Sequence, residues 1–178
     1  EKITTADGSY IQYSWTGVNI TKVETFYTDL ATSTPNQKLT RVYYGYDGQN
    51  RLTSVTVDLS PHDNATNGAK IYTLAYTYDG TSNRIASITQ SDGSALGIAY
   101  TNVSGVYKVS RLTQTVASGE SRVSDILYSQ AVVGAETFDI AEVRVYRDAT
   151  LTTYVSTTVK SVAGQLREVY TLSCCRFH

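Results

Sequence analysis

Cysteine is missing from the first 173 residues of this sequence, so no disulfide framework holds its fold. The only two, Cys174 and Cys175, are adjacent, and neighbouring cysteines bond each other only under strain. With His178 they offer three ligands and no Cys-x-x-Cys spacing, short of a structural zinc site, so residues 174–178 read as a tail. Proline is nearly absent, at two residues, which permits uninterrupted strand ladders. Charged residues make up 17% of the chain with a net charge of −1 and signs interspersed, leaving no basic stripe for nucleic acid. No apolar run reaches membrane-spanning length. Methionine is absent altogether, and the opening Glu1-Lys2-Ile3-Thr4 is not a signal peptide, so the sequence reads as a piece of a longer protein. A helical apolar stripe is missing too; the best helix candidate is Val132–Ala141, which contains Gly134.

Catalytic and metal-binding patterns are equally thin. His62 beside Asp63 has the elements of a base and its orienting group, but the run Ser60-Pro61-His62-Asp63-Asn64 is loop-like and no Gly-x-Ser-x-Gly elbow accompanies it. No carboxylate pair stands out for glycoside hydrolysis, no glycine-rich loop precedes a helix to cradle phosphate, and the Asp-Gly turns lie too far apart to share a calcium ion. Asn19-Ile20-Thr21, Asn64-Ala65-Thr66 and Asn102-Val103-Ser104 match the glycosylation pattern, as a Thr-rich chain does by accident. The expectation is a non-enzymatic protein with no catalytic residues, cofactor or metal.

What is present is a repeated phrase. Tyr44-Gly45-Tyr46-Asp47-Gly48-Gln49-Asn50-Arg51-Leu52 returns as Tyr76-Thr77-Tyr78-Asp79-Gly80-Thr81-Ser82-Asn83-Arg84-Ile85, and its two Asp residues are 32 positions apart. Recurrence at supersecondary length outranks any single-residue signal. Tyr44 and Tyr46, like Tyr76 and Tyr78, project from one face of an extended strand. Asp47 and Asp79 open a reversal by accepting backbone amides, with Gly supplying positive φ. Asn50 and Asn83 turn the chain again, Asn being the commonest non-Gly visitor to the left-handed region. Arg51 and Arg84 begin the return strands within reach of their own Asp. The second turn is expected to be wider by one residue, and Asp79→Ala to cost about 1 kcal/mol if that carboxylate satisfies turn amides.

Weaker echoes extend the pattern. Asp7-Gly8-Ser9 leads into a strand ending at Trp15, with a second turn at Thr16-Gly17, and Asp92-Gly93-Ser94 leads into one ending at Tyr100. Beyond residue 120 the turn signature fades, while Ile126–Tyr128, Glu142–Tyr146, Thr153–Val155 and Arg167–Leu172 still alternate as strands. The expectation is an all-β chain: hairpin repeats over 1–115, strands of the same sheet over 116–173, then the tail. Fifteen Tyr against three Phe suit sheets wetted on one face, the hydroxyl reaching water while the ring packs. The same Tyr faces also fit a second reading, an adhesion module that stacks on carbohydrate or a partner protein.

The phrase resembles the YD repeat of the rearrangement-hot-spot (RHS) family, roughly Tyr-x-Tyr-Asp-x-x-Gly-Arg-Leu followed by a strand. Tyr44, Tyr46, Asp47, Arg51 and Leu52 match, with Asn50 in the Gly position. Tyr76, Tyr78, Asp79, Arg84 and Ile85 match with one insertion and Asn83 in that position. The resemblance covers about residues 5–115. It implies a curved sheet of antiparallel hairpins forming part of a hollow β-shell, in a large secreted or cell-surface protein such as a polymorphic toxin, an insecticidal toxin complex, a wall-associated protein or a teneurin. The partners it implies are neighbouring repeats, an enclosed toxin domain or a cell-surface glycan. The family's Asp-Pro self-cleavage motif does not occur, so the resemblance implies no cleavage activity here.

Overall fold

The computed structural model describes residues 1–29, 34–59, 70–146, 153–162 and 165–176. Every regular element in them is a β-strand: β1 (Lys2–Thr4), β2 (Tyr10–Thr16), β3 (Asn19–Asp29), β4 (Thr34–Tyr46), β5 (Leu52–Asp58), β6 (Ile71–Tyr78), β7 (Ile85–Gln90), β8 (Ala95–Val103), β9 (Val106–Thr115), β10 (Ser121–Val133), β11 (Glu136–Tyr146), β12 (Thr153–Val162) and β13 (Gln165–Arg176). They fall into two units, Glu1–Asp92 with β1–β7 and Gly93–His178 with β8–β13. Within each unit the strands pair antiparallel in chain order, an array of hairpins as the turn chemistry implied. No helix among the described residues is long and apolar enough to cross a membrane.

Val132–Ala141, the best helix candidate in the sequence, is a hairpin, in keeping with the all-β expectation. Val133 pairs with Glu136 around Gly134, whose φ of 64° stops a helix and closes a two-residue turn. The last strand runs to Arg176, so the backbone of Cys174 and Cys175 continues the ladder against β12. His62, Asp63 and Asn64 lie outside the described residues.

Neither unit is organised around an apolar interior. Among the described residues the only buried apolar side chain is Tyr154, and the other buried ones are Glu24, Arg41 and Asp58. Those three are directly opposite one another: Gln12 faces Glu24, Glu24 faces Arg41 and Arg41 faces Asp58 across β2–β5. The row alternates in sign, so each charge has an opposite neighbour on the same face. The Arg41 Nε donates to Asp58 Oδ2 at 3.0 Å, and the Lys22 ammonium lies 2.8 Å from the Glu24 carboxylate. Burial pushes the Glu24 carboxyl up, but Lys22 and Lys38 more than offset it and hold it below its ordinary value. The second unit carries a row of the opposite polarity, Arg111–Asp125–Arg144 across β9–β11. In the first unit the other face is apolar, with Val23, Val42, Val57 and Tyr72 in one row.

Candidate functional site: stacked turns and tyrosine-bridged seams

In the first repeat the Asp47 amide donates to the Arg51 carbonyl at 3.0 Å, and the Asn50 amide to the Asp47 carbonyl at 3.0 Å. Thr5–Ser9 and Val116–Glu120 close with the same pair of bonds. The fourth residue of each turn is left-handed: Gly8 at φ 85°, Asn50 at 60° and Gly119 at 86°. This is a three-residue hairpin loop whose left-handed residue makes a bulge. The Asp47–Gly48 step therefore differs from the sequence expectation, because Asn50 and not Gly48 takes the positive φ.

The second turn is wider by one residue: the Asp79 amide donates to the Arg84 carbonyl at 2.9 Å. Here Gly80 takes the positive φ (56°), and Asn83 does not. The extra residue changes the work of the acid as well. Asp47 Oδ1 accepts the Gln49 and Arg51 amides at 2.8 and 3.0 Å, whereas among the described residues the only bonds to the Asp79 carboxylate are from the Arg84 guanidinium. The Arg84 amide goes to the Ser82 hydroxyl instead. Foremost the Arg51 amide, then its guanidinium and the Gln49 amide against the cost of desolvation, hold the Asp47 carboxyl below the ordinary carboxylate range.

Arg51 also leaves its own turn. Its Nε donates to Asp47 Oδ2 at 2.7 Å, while Nη1 donates to the carbonyls of Gly80 (3.0 Å) and Ser82 in the next turn. The guanidinium lies 4.3 Å from the centre of the Tyr78 ring. On the other side, Asn19 Nδ2 donates to Asn50 Oδ1 at 3.1 Å. Three successive turns (β2–β3, β4–β5 and β6–β7) are thus tied along one edge of the first unit by side chains.

Two further regularities repeat. Each of the hairpins β2–β3, β4–β5, β6–β7 and β8–β9 slips register by one residue immediately before an aromatic: Ser14/Trp15, Gly45/Tyr46, Thr77/Tyr78 and Ala99/Tyr100. Trp15 and Tyr100, the ends of the weaker echoes, therefore occupy the positions of Tyr46 and Tyr78. The second regularity lies between hairpins. The ladder β3–β4 ends at Lys22–Tyr43 and β5–β6 ends at Ser54–Ala75, although the strands continue toward the turns. A tyrosine hydroxyl crosses each open seam: Tyr46 donates to the Ile20 carbonyl at 2.9 Å and Tyr78 to the Leu52 carbonyl at 2.7 Å, both 26 residues back. In the second unit Tyr128 donates likewise to the Val109 carbonyl at 2.8 Å. The first tyrosine of each repeat has a different position. Tyr44 faces Val55 and Tyr76 faces Ile88, and neither hydroxyl has a hydrogen-bond partner among the described residues.

All ten residues singled out in the sequence thus lie at hairpin ends of one unit, with Tyr46, Tyr78, Asn50 and Arg51 bridging and Tyr44 and Tyr76 facing Val55 and Ile88. What the sequence did not disclose was the reach of Arg51 into the following turn and the charge rows, since Glu24, Arg41 and Asp58 are 17 residues apart and meet only through register. No protein-family model matches this chain, and no curated protein matches it.

Proposed function

We propose that the chain is a non-enzymatic wall segment of a larger secreted or cell-surface protein of the RHS/YD-repeat type, where successive hairpins make part of a β-shell around a toxin domain or at a site of cell contact. The observation that carries this reading is the seam: a tyrosine of the repeated phrase ties each hairpin to the one before it. Such a tie serves a continuing array and has no use in an isolated hairpin. The near absence of a buried apolar core fits the same role, because a wall draws its cohesion from ladders and cross-strand polar pairs rather than from an interior. Asn50 adds support, since the resemblance puts glycine where this chain is left-handed.

Electron cryo-microscopy of the complete gene product containing these residues tests the reading. A hollow particle with these strands in its wall is the expected result; a solid or extended molecule would overturn it. A second reading, adhesion through exposed tyrosine faces to a glycan or partner protein, draws on the unengaged hydroxyls of Tyr44 and Tyr76. Saturable binding on a glycan array that disappears in Tyr44→Ala and Tyr76→Ala would favour it.

A further inference from the structure

The seam between β9 and β10 is longer than those of the first unit. Pairing stops at Arg111–Asp125, yet β9 extends back to Val106 and β10 onward to Val133. Five residues of each strand, 106–110 and 126–130, face the gap without a ladder. On their far sides both strands stay paired, β9 with β8 up to Val103–Val106 and β10 with β11 up to Val133–Glu136. Residues 126–130 of β10 are therefore an extended edge without a ladder partner on this side, and on β9 the Val109 carbonyl accepts the Tyr128 hydroxyl.

Two clefts open at this fork, one on each side of Tyr128. The larger, about 860 Å³, includes Asn102, Ser110 and Ile126 in its lining. The smaller, about 520 Å³, includes the apolar residues Val106, Ala141 and Val159 in its lining, the last two directly opposite each other across β11 and β12. Most charges here are spoken for: Arg111 holds Asp125, Arg144 holds Glu142, and Gln130 Nε2 donates to Asp139 at 2.8 Å. Lys108 is the exception. Its ammonium lies 4.9 Å from the centre of the Tyr128 ring and has no acidic partner among the described residues.

We propose that this fork is a docking site for an extended peptide, which pairs its backbone with the free edge of β10, sets an apolar side chain over Val106, Ala141 and Val159, and places a carboxylate on Lys108. A row of unpaired strand groups is satisfied best by another strand, and alternate side chains then read the pockets. The cation without an acidic partner among the described residues sets the charge of the occupant. Tyr128, held by its hydroxyl to Val109 and by the Lys108 ammonium over its ring, is the side chain that must swing aside.

The test is selection of a phage-displayed library of random 12-residue peptides on the full chain, followed by synthesis of enriched sequences. The expected peptides alternate β-branched with polar residues and carry an Asp or Glu. Their binding should weaken at least tenfold in Lys108→Glu and persist in Lys70→Glu, an exposed position in the other unit. Amide hydrogen exchange should show new protection at 126–130. Absence of enrichment, binding indifferent to Lys108→Glu, or protection confined to other strands overturns the proposal. These outcomes are read on this chain alone and are separate from the particle imaging above.

Discussion

Replacing Tyr78 by Phe removes one oxygen and leaves the ring, so it isolates the seam bond from everything else the side chain does. The ring keeps its place under the Arg51 guanidinium, 4.3 Å away, and keeps its packing. What is lost is a 2.7 Å bond from a half-buried hydroxyl to the Leu52 carbonyl, at a point where the β5–β6 ladder has already ended. A net hydrogen bond of this kind is worth about 1 kcal/mol. Read as local opening, that is roughly a fivefold rise in exchange of the amides at 52–54 and 76–78. Read as global melting, it is about 2–4 °C for a chain of this size. Tyr46→Phe should behave alike at the β3–β4 seam, and the double variant should add to about 2 kcal/mol because the two bonds share no partner. The controls are Tyr44→Phe and Tyr76→Phe in the same strands, whose hydroxyls bond nothing and whose loss should fall within about 0.5 kcal/mol of zero. Hydrogen exchange and urea melting of all four variants decide the matter. Equal effects at 44 and 46, or no effect at 78, refute the idea that the hydroxyl holds the seam.

Asp47→Ala should destabilise more than Asp79→Ala in urea melting, since Asp47 serves two backbone amides and Arg51 while the Asp79 carboxylate serves only the half-buried Arg84 among the described residues, an ion pair worth less than about 1 kcal/mol. The sequence-based figure of about 1 kcal/mol for Asp79 is thereby lowered. Asn50→Gly should be tolerated, whereas Asn50→Ala should cost about 1 kcal/mol by forcing a Cβ-bearing, non-bonding side chain into φ 60°, measured by thermal melting. Asp58→Leu strands the Arg41 guanidinium beside a buried apolar group and should cost about 3–5 kcal/mol; a Tm unchanged from the parent would contradict the pairing. For acid, the Arg111 guanidinium first, with the Tyr146 hydroxyl, holds the Asp125 carboxyl below its ordinary value against burial. A depressed folded value stabilises above the unfolded carboxylate range, near 3.9, and that contribution is lost as pH falls through the folded value. The gap in urea midpoint between parent and Arg111→Gln should therefore be widest near neutrality and shrink below about pH 4; a constant gap would remove Asp125 from the account.

Hairpins at Asp47 and Asp79 were legible in the sequence because turn residues and alternation act over a few residues and leave a local trace. So was the wider second turn, and the echoes ending at Trp15 and Tyr100 fell at equivalent register positions. The left-handed residue was placed less well. A sequence offers Gly48 and Asn50 equally, and the choice is made by loop length, which puts the bulge at the fourth residue in one copy and the positive φ at Gly80 in the other. Val132–Ala141 was a poor helix candidate because of Gly134, and the structure makes that glycine part of a hairpin turn. The Glu24–Arg41–Asp58 row and the Arg51 bridge were invisible for a common reason: alternation gives which residues share a face, and only register gives which ones touch.

Because the bonds that attach one hairpin to the next come from a strand edge, a phenol and a few turn side chains, a new hairpin can be accommodated without redesigning anything already folded. Duplication of some 32 residues of coding sequence brings its own anchor with it, and loss of the same length removes only what that copy contributed. Growth of this kind is incremental, whereas a protein built round an interior must re-pack every time it gains a layer.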